Sequence, residues 1–290
     1  MSASVAVVGA PFLDLVFEGL PRLPAAGDEV VGRGLHVVAG GTAIQAIGLV
    51  RLGVPATLVA PRPGDLGGRI VAELLEREGV PWVGSPAGHA AATAILSSAG
   101  GVAMATAPGD GAISVEDIAA VGAGTVVLSL GRAHLRPPDA RVCFVTGSIE
   151  IEAGARPPAD TSPGDVLVVN EREALALTGE ADAEAAAGAL ASACETAIVT
   201  TGARGAVAVR NGTVIRSPAP DVDVVDATGA GDLFVAAIVW ATERGIDLEA
   251  ALAWACLSAG LSVVAPTALA GAPRLDDLLE EGGRRGLSRP

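Results

Sequence analysis

The stretch Asp226-Ala227-Thr228-Gly229-Ala230-Gly231-Asp232 holds residue types and spacing that could do chemistry. It follows a strand-like run at 222–225 and enters an apolar helix that begins Leu233-Phe234-Val235. A turn of small residues at a helix N-terminus exposes several backbone N–H groups. Together with the helix dipole these make a site for an anion such as phosphate, and glycine lets the backbone approach the ligand closely. Asp232 then has two readings. It is either a first-turn carboxylate favoured by the dipole or a general base beside the anion cradle. A Gly-Ala-Gly turn alone does not choose between them, because many strand-to-helix turns look alike.

Composition removes competing chemistries. The chain has 290 residues, 19 of them Lys or Arg against 33 Asp or Glu, a net charge of −14. Every basic residue is arginine, so a lysine-dependent phosphate loop, a Schiff base and a pyridoxal-phosphate linkage are all excluded. An acidic chain without a basic run is a poor nucleic-acid binder. Aromatic residues at 2% leave little for a base-stacking platform. Cys143, Cys194 and Cys256 are far apart, as are His36, His89 and His134, so no zinc cluster is expected. Three buried thiols fit a reduced compartment, and the expected location is cytoplasmic. Neither a signal peptide nor a membrane span is expected, since the positive mean hydropathy comes from alanine and valine.

The elements that must position the site alternate. Short apolar runs at 5–8, 56–59, 126–130, 142–145, 166–169 and 197–200 read as strands covered on both faces. Helical patterns fall at 68–78, 171–177, 180–194, 231–244 and 248–264. In the first of these Glu73 and Arg77 pair one turn apart, and Gly79 stands at the C′ position. The β-α-β-α order predicts an α/β class and a single domain over 1–290. Two stretches break the rhythm. Residues 14–39 alternate turns with strand-like pieces at 29–32 and 35–38, and 92–107 reads as a hairpin turning at Ser98-Ala99-Gly100-Gly101. They are expected to pair as a small β-lid over the core. Residues 160–164 read as a loop and 282–290 as a flexible tail.

The full Asp226–Asp232 string resembles the D-[TA]-[TV]-G-A-G-D signature of the ribokinase/PfkB family of carbohydrate kinases. Further pieces match in order: Gly40-Gly41 with Arg51-Leu52-Gly53, Asn170-Glu171-Arg172-Glu173, Thr200-Thr201-Gly202-Ala203-Arg204-Gly205, and Gly271-Ala272-Pro273. Asp14 sits where the family places its sugar-binding aspartate. The resemblance spans nearly the whole chain. It implies a three-layer α/β/α core with a mainly parallel sheet, and ATP-dependent phosphorylation of a sugar hydroxyl. Asp232 would be the base, and the amides of Gly229, Ala230 and Gly231 the anion hole. Asp14, Gly40, Gly41 and Gln45 would bind the sugar. Asn170, Thr200, Gly202 and Gly205 would line the nucleotide site. Glu173 would hold Mg²⁺ through waters, and Asp226 would join a site for a monovalent cation such as K⁺. Asn170 and Glu173 also have a plain reading, an N-cap and a first-turn acid. A homodimer through the lid is a further implication.

The chain departs from the family at several points. The family's G-G-x-x-x-N asparagine is missing: counting from Gly40-Gly41 gives Gln45, counting back from Arg51-Leu52-Gly53 gives Ile44. The segment between Leu130 and Asn170 is short, leaving Arg132, Arg136 and Arg156 as candidates for a phosphate-contacting arginine. Cys256 stands where relatives often have an asparagine near the adenine. Two other acceptor readings stay open: a nucleoside, with Phe12, Phe17 or Trp82 as the stacking aromatic, and a non-catalytic sugar-binding role.

Overall fold

The computed structural model describes residues 5–98, 100–159 and 161–289. Ala99 of the expected turn, Asp160 of the expected loop and Pro290 of the expected tail lie outside the described residues. A nine-stranded sheet runs in the order Thr213–Ser217, Ala206–Arg210, Thr196–Thr200, Val166–Asn170, Arg141–Val145, Thr125–Ser129, Val5–Val8, Ala56–Val59 and Trp82–Val83. Its neighbours pair in parallel, except that Ala206–Arg210 is antiparallel to both strands beside it.

Alternation feeds two cores. Val5 and Val7 pack with the helices Thr42–Arg51, Ala230–Glu243 and Leu248–Ser262, while Ala6 and Val8 face the layer that holds Ala183–Leu190. Both faces of the sheet are therefore covered, which is why its strands read as unbroken apolar runs. Capping side chains set several helix limits. Asp65 accepts from the Gly68 amide at 2.8 Å, so that helix spans Leu66–Arg77. Asp182 accepts from Glu184 and Ala185, so the helix expected from 180 starts at Ala183.

Three expectations are corrected. The run at 222–225 is not a strand: Val224 and Val225 are exposed, and the Val225 and Asp226 amides both donate to the Val263 carbonyl rather than to a ladder. Residues 29–32 form no strand. The flexible tail does not begin at 282, because the helix Leu275–Arg284 carries Gly282 against the Trp254 ring and Leu287 packs on the core. The hairpin Ala206–Arg210/Thr213–Ser217 goes unpredicted, although Asn211 (φ 50°) and Gly212 (φ 74°) form a left-handed Asn-Gly turn suited to it.

A separate four-stranded sheet runs Gly34–Gly41, Pro11–Leu20, Ala91–Ser98, Gly101–Ala107. Segments from 14–39 and 92–107 thus lie side by side: Asp14 is opposite Val38 on one neighbour and Thr93 on the other. One face buries Asp14, Val16, Thr93 and Ile95. The other carries Leu15, Phe17, Leu35, Val37, Ala94 and Leu96, with Leu35 53% and Val37 40% exposed. Among the described residues no helix is long and apolar enough to cross a membrane.

Candidate active site

Val5–Val8 lies between Thr125–Ser129 and Ala56–Val59, at the point where the strand order reverses. Ligands of open α/β sheets bind outside the carboxyl ends of strands at such a point. Asn170 and Thr200 end two neighbouring parallel strands in register, so the Asn170 and Thr200 motifs meet on that edge.

The helix Ala230–Glu243 begins at Gly229, whose φ of 81° is left-handed. A Cβ there would also stand 2.7 Å from Ala268 Cβ and 2.9 Å from Ile44 Cδ1, so glycine is required twice over. A Cβ on Gly231 would meet nothing within 4 Å. Asp226 Oδ1 takes the Thr228 amide at 2.8 Å, and the Ala227 carbonyl takes the Ala230 amide at 3.3 Å. Among the described residues the Gly229 and Gly231 amides donate to no protein atom. A helix terminus with open amides and positive partial charge is an anion site.

Asp232 lies in the first turn of this helix, and its Oδ1 accepts from Gln45 Nε2 at 2.8 Å. Burial pushes its carboxyl up to about 6, the Gln45 bond acts the other way, and the Glu173 charge raises it further. Asp14 is also pushed up to about 6: burial raises it, a hydrogen bond from Thr93 lowers it, and the Asp232 charge raises it. The structure thus brings Asp14, Gln45, Glu173 and Asp232 into one electrostatic neighbourhood. Of the two positions counted from the motifs, Gln45 reaches Asp232, while Ile44 packs under Gly229 with Leu233 and Ala268. The glycine pair makes room for side chains: a Cβ on Gly40 would collide with the Asp14 carboxylate, and one on Gly41 with the Phe12 ring.

Asn170 and Glu173 form a reciprocal capping box. Asn170 Oδ1 accepts the Glu173 amide at 2.9 Å, and Glu173 Oε2 accepts the Asn170 amide at 3.0 Å. The plain reading therefore holds, and the same box aims a buried carboxylate whose charge reaches Asp232. Burial raises the Glu173 carboxyl, chiefly because water is excluded there. Among the described residues no cluster of three His, Cys, Asp or Glu could hold a metal. One carboxylate and one amide oxygen fit a hard ion that keeps its waters and leans on phosphate, rather than an all-protein cage.

Gly202 (φ 61°) opens the turn after Thr200. A Cβ on Gly205 (φ 95°) would collide with the Ser217 carbonyl, so packing of the adjacent hairpin explains that glycine without a ligand. Asp226 is buried, and among the described residues it makes no ion pair. Of the three arginines put forward, Arg136 is engaged with buried Asp165 at 2.7 Å, and Arg156 bonds the Ile151 and Ala155 carbonyls. Arg132 bonds Ser129 and edges a cavity of about 330 Å³ that Pro11, Trp82 and His134 also line. Cys256 points its thiol at the Ser217 carbonyl and is buried in the core.

Two features lay outside sequence reasoning. Thr93 and Thr106 pair across strands at 3.2 Å beside Asp14, a contact only strand register reveals. Arg51 binds Glu78 at 2.6 and 3.0 Å and also donates to the Leu269 and Ala272 carbonyls at 2.5 and 3.1 Å. That clamp joins the Arg51-Leu52-Gly53 segment to Gly271-Ala272-Pro273, the last piece of the matching set.

The model for the pfkB family carbohydrate kinases matches residues 163–274. The ribokinase of Bacillus subtilis is 29% identical over 96% of this chain and 98% of its own length. The chain is thus similar to the ribokinase/PfkB family of carbohydrate kinases over nearly its whole length. The relatives it matches are named kinases, which gives the phosphotransferase class. The 2-dehydro-3-deoxygalactonokinase of Haloferax volcanii is 42% identical, but the match covers 33% of this chain and 31% of that protein. Two solved structures share the ribokinase-like fold. The ribokinase of Arabidopsis thaliana complexed with ribose and ATP has a TM-score of 0.76 at 24% identity, covering 97% of this chain and 98% of that one. Phosphofructokinase-2 of Escherichia coli in complex with potassium has a TM-score of 0.81 at 20% identity, and both chains are covered completely.

Proposed function

We propose that the chain transfers the γ-phosphoryl group of ATP to a sugar hydroxyl, with Asp232 as general base. The observation that carries this reading is one helix N-terminus. It offers the amides of Gly229 and Gly231, unpaired among the described residues, and in the same turn a carboxyl raised to about 6. A base in that range is ionised at neutral pH yet basic enough to share the hydroxyl proton as attack begins. The amides face the place where negative charge builds on the transferring group, so they stabilise it without a lysine. Asp14 orients the acceptor from the small sheet, which closes over the site as a lid. Mg²⁺, when bound, neutralises phosphate charge. Asn170 and Glu173 would hold its waters, and Thr200 and Gly202 would line the nucleotide. Ribose and ATP in the similar plant ribokinase support both ligand classes.

Asp226, buried and without an ion-pair partner among the described residues, suits a monovalent-cation site, and potassium in a structural neighbour supports that assignment. The outer lid face, with Leu15, Phe17, Leu35, Val37, Ala94 and Leu96 and no charge among them, suits a second copy of the chain. Three buried free thiols suit the cytoplasm. A nucleoside acceptor has one observation in its favour, the cavity lined by Trp82 and Pro11.

The test is ADP production from ATP and Mg²⁺ over a panel of sugars, sugar phosphates and nucleosides, with Asp232→Asn as control. A sugar should be turned over, and Asp232→Asn should lose about 10²–10⁴-fold or more while still binding ATP. Sugar binding without turnover would favour the non-catalytic sugar-binding reading, and undiminished turnover in Asp232→Asn would remove the base assignment.

A further inference from the structure

Arg51 ends the helix Thr42–Arg51, and its side chain is 13% exposed. Its guanidinium divides between two tasks. Nε and Nη2 hold the Glu78 carboxylate at 3.0 and 2.6 Å, and Nη1 donates to the Leu269 and Ala272 carbonyls at 2.5 and 3.1 Å. Those carbonyls belong to the short helix Ala268–Gly271 and the residue after it. A single ammonium could not serve both groups at once, because it lacks the fork of donors.

The gripped segment is packed closely at both ends. A Cβ on Gly271 would stand 2.4 Å from the Ser262 carbonyl, at the end of the helix Leu248–Ser262. At the other end, the Ala268 methyl lies 2.7 Å from the place that a Gly229 Cβ would take. Ile44 closes the same space, and Ile44, Leu233, Ala268 and Ala272 form one buried cluster. Ile44 and Arg51 stand two turns apart along one face of their helix. That helix therefore meets the Gly229 turn twice, directly through Ile44 and indirectly through the segment that Arg51 holds.

We propose that Arg51 is a positioning residue for the anion cradle. It fixes the short helix whose Ala268 bears on the Gly229 turn, and so it sets the aim of the Gly229 and Gly231 amides. The inference rests on the reading that those amides receive phosphate. Donors of this kind act only when they already point to the place where charge develops. A misplacement of about 1 Å costs up to about a hundredfold in rate. Arg51 acts on the cradle through Leu269, Ala272 and Ala268, in that order of contact.

The test compares Arg51→Lys with wild type by amide proton–nitrogen NMR of the full chain labelled at glycine. Lysine keeps a charge for Glu78 and gives up the two carbonyls. In wild type, ATP with Mg²⁺ should move the Gly229 and Gly231 signals further than ADP with Mg²⁺ does, because only ATP carries a γ-phosphate. In Arg51→Lys that difference should shrink to about half or less. On whichever panel sugar the wild type turns over best, kcat should fall about tenfold or more, with KM for ATP held within about threefold. Leu190→Ala is the control for lost stability, since it opens a cavity in the core on the other face of the sheet. It should lower the urea midpoint and leave the two signals and kcat at wild-type values.

An Arg51→Lys protein with wild-type kcat and the full ATP response overturns the proposal. So does a Leu190→Ala protein that loses kcat as far, because stability alone would then account for the loss. Wild-type signals that ATP does not move count against the cradle itself. The nucleotide-free spectrum then decides for Arg51, and a Gly229 signal unshifted in Arg51→Lys overturns its role. Should Arg51→Lys fail to fold, Ala268→Gly keeps the clamp and removes only the methyl beside Gly229. It should show the same split between kcat and KM, and wild-type behaviour there overturns the proposal.

Discussion

Gly229 and Gly231 stand two residues apart at the head of one helix and should answer alanine in opposite ways. Alanine at Gly229 must adopt a φ of 81°, which costs about 1–2 kcal/mol for a residue with a Cβ. Its methyl would also enter a space already closed by Ala268 at 2.7 Å and Ile44 at 2.9 Å, and overpacking of that kind costs about 1–3 kcal/mol. The loss is therefore on the order of 2–5 kcal/mol, and it pushes the helix start away from Ile44. Gly231 is helical, and its Cβ would meet nothing within 4 Å. There alanine gains about 0.5–1 kcal/mol of helix propensity, yet it places a methyl beside the amide proposed to hold phosphate. Urea unfolding gives the stabilities, and initial rates of ADP release give the activities. Gly229→Ala should lose both stability and activity, whereas Gly231→Ala should keep or gain stability and lose at least tenfold in rate. A Gly231→Ala protein with full activity would refute the anion cradle, and a Gly229→Ala protein as stable as wild type would refute the packing argument.

Three further outcomes follow. The Asp14 carboxyl is raised from 3.8 to about 6, so the folded state binds more protons than the unfolded one in that window. Stability is then lost as pH rises from about 4 to about 6, and Asp14→Asn should be more stable by up to about 3 kcal/mol at pH 8, with no gain at pH 4 and with weaker acceptor binding; thermal unfolding against pH checks this. Arg51→Met should cost about 3–5 kcal/mol, since it strands half-buried Glu78 and frees the Leu269 and Ala272 carbonyls; chemical unfolding measures it. Leu35→Glu combined with Val37→Glu should yield a monomer by light scattering if a second copy covers the outer lid face.

Sequence made the central sheet legible because its parallel strands are buried on both faces and read as runs such as Val5-Ala6-Val7-Val8. The same rule misread 222–225, where Val and Asp alternate on a loop whose amides go to Val263. It passed over Asn211-Gly212, whose turn geometry inserts the antiparallel strand. At the site, Gly229 was legible because a left-handed backbone at the helix start demands glycine, whereas Gly231 and Asp232 stood out only through the resemblance of the whole string. The choice between Gln45 and Ile44 was not, because adjacent helix residues point about 100° apart and only the fold shows which one meets Asp232, 187 positions away. Thr93 and Thr106 were hidden for a similar reason, since strand register alone brings them to Asp14.

The most direct measurement is phosphorus NMR of the chain with ATP, Mg²⁺ and the sugar panel, followed in wild type and Asp232→Asn. A phosphomonoester resonance on the sugar should grow as the γ-phosphate of ATP declines, and the growth should be nearly abolished in Asp232→Asn. Release of inorganic phosphate alone, or phosphoryl transfer at an equal rate in the variant, would contradict the account.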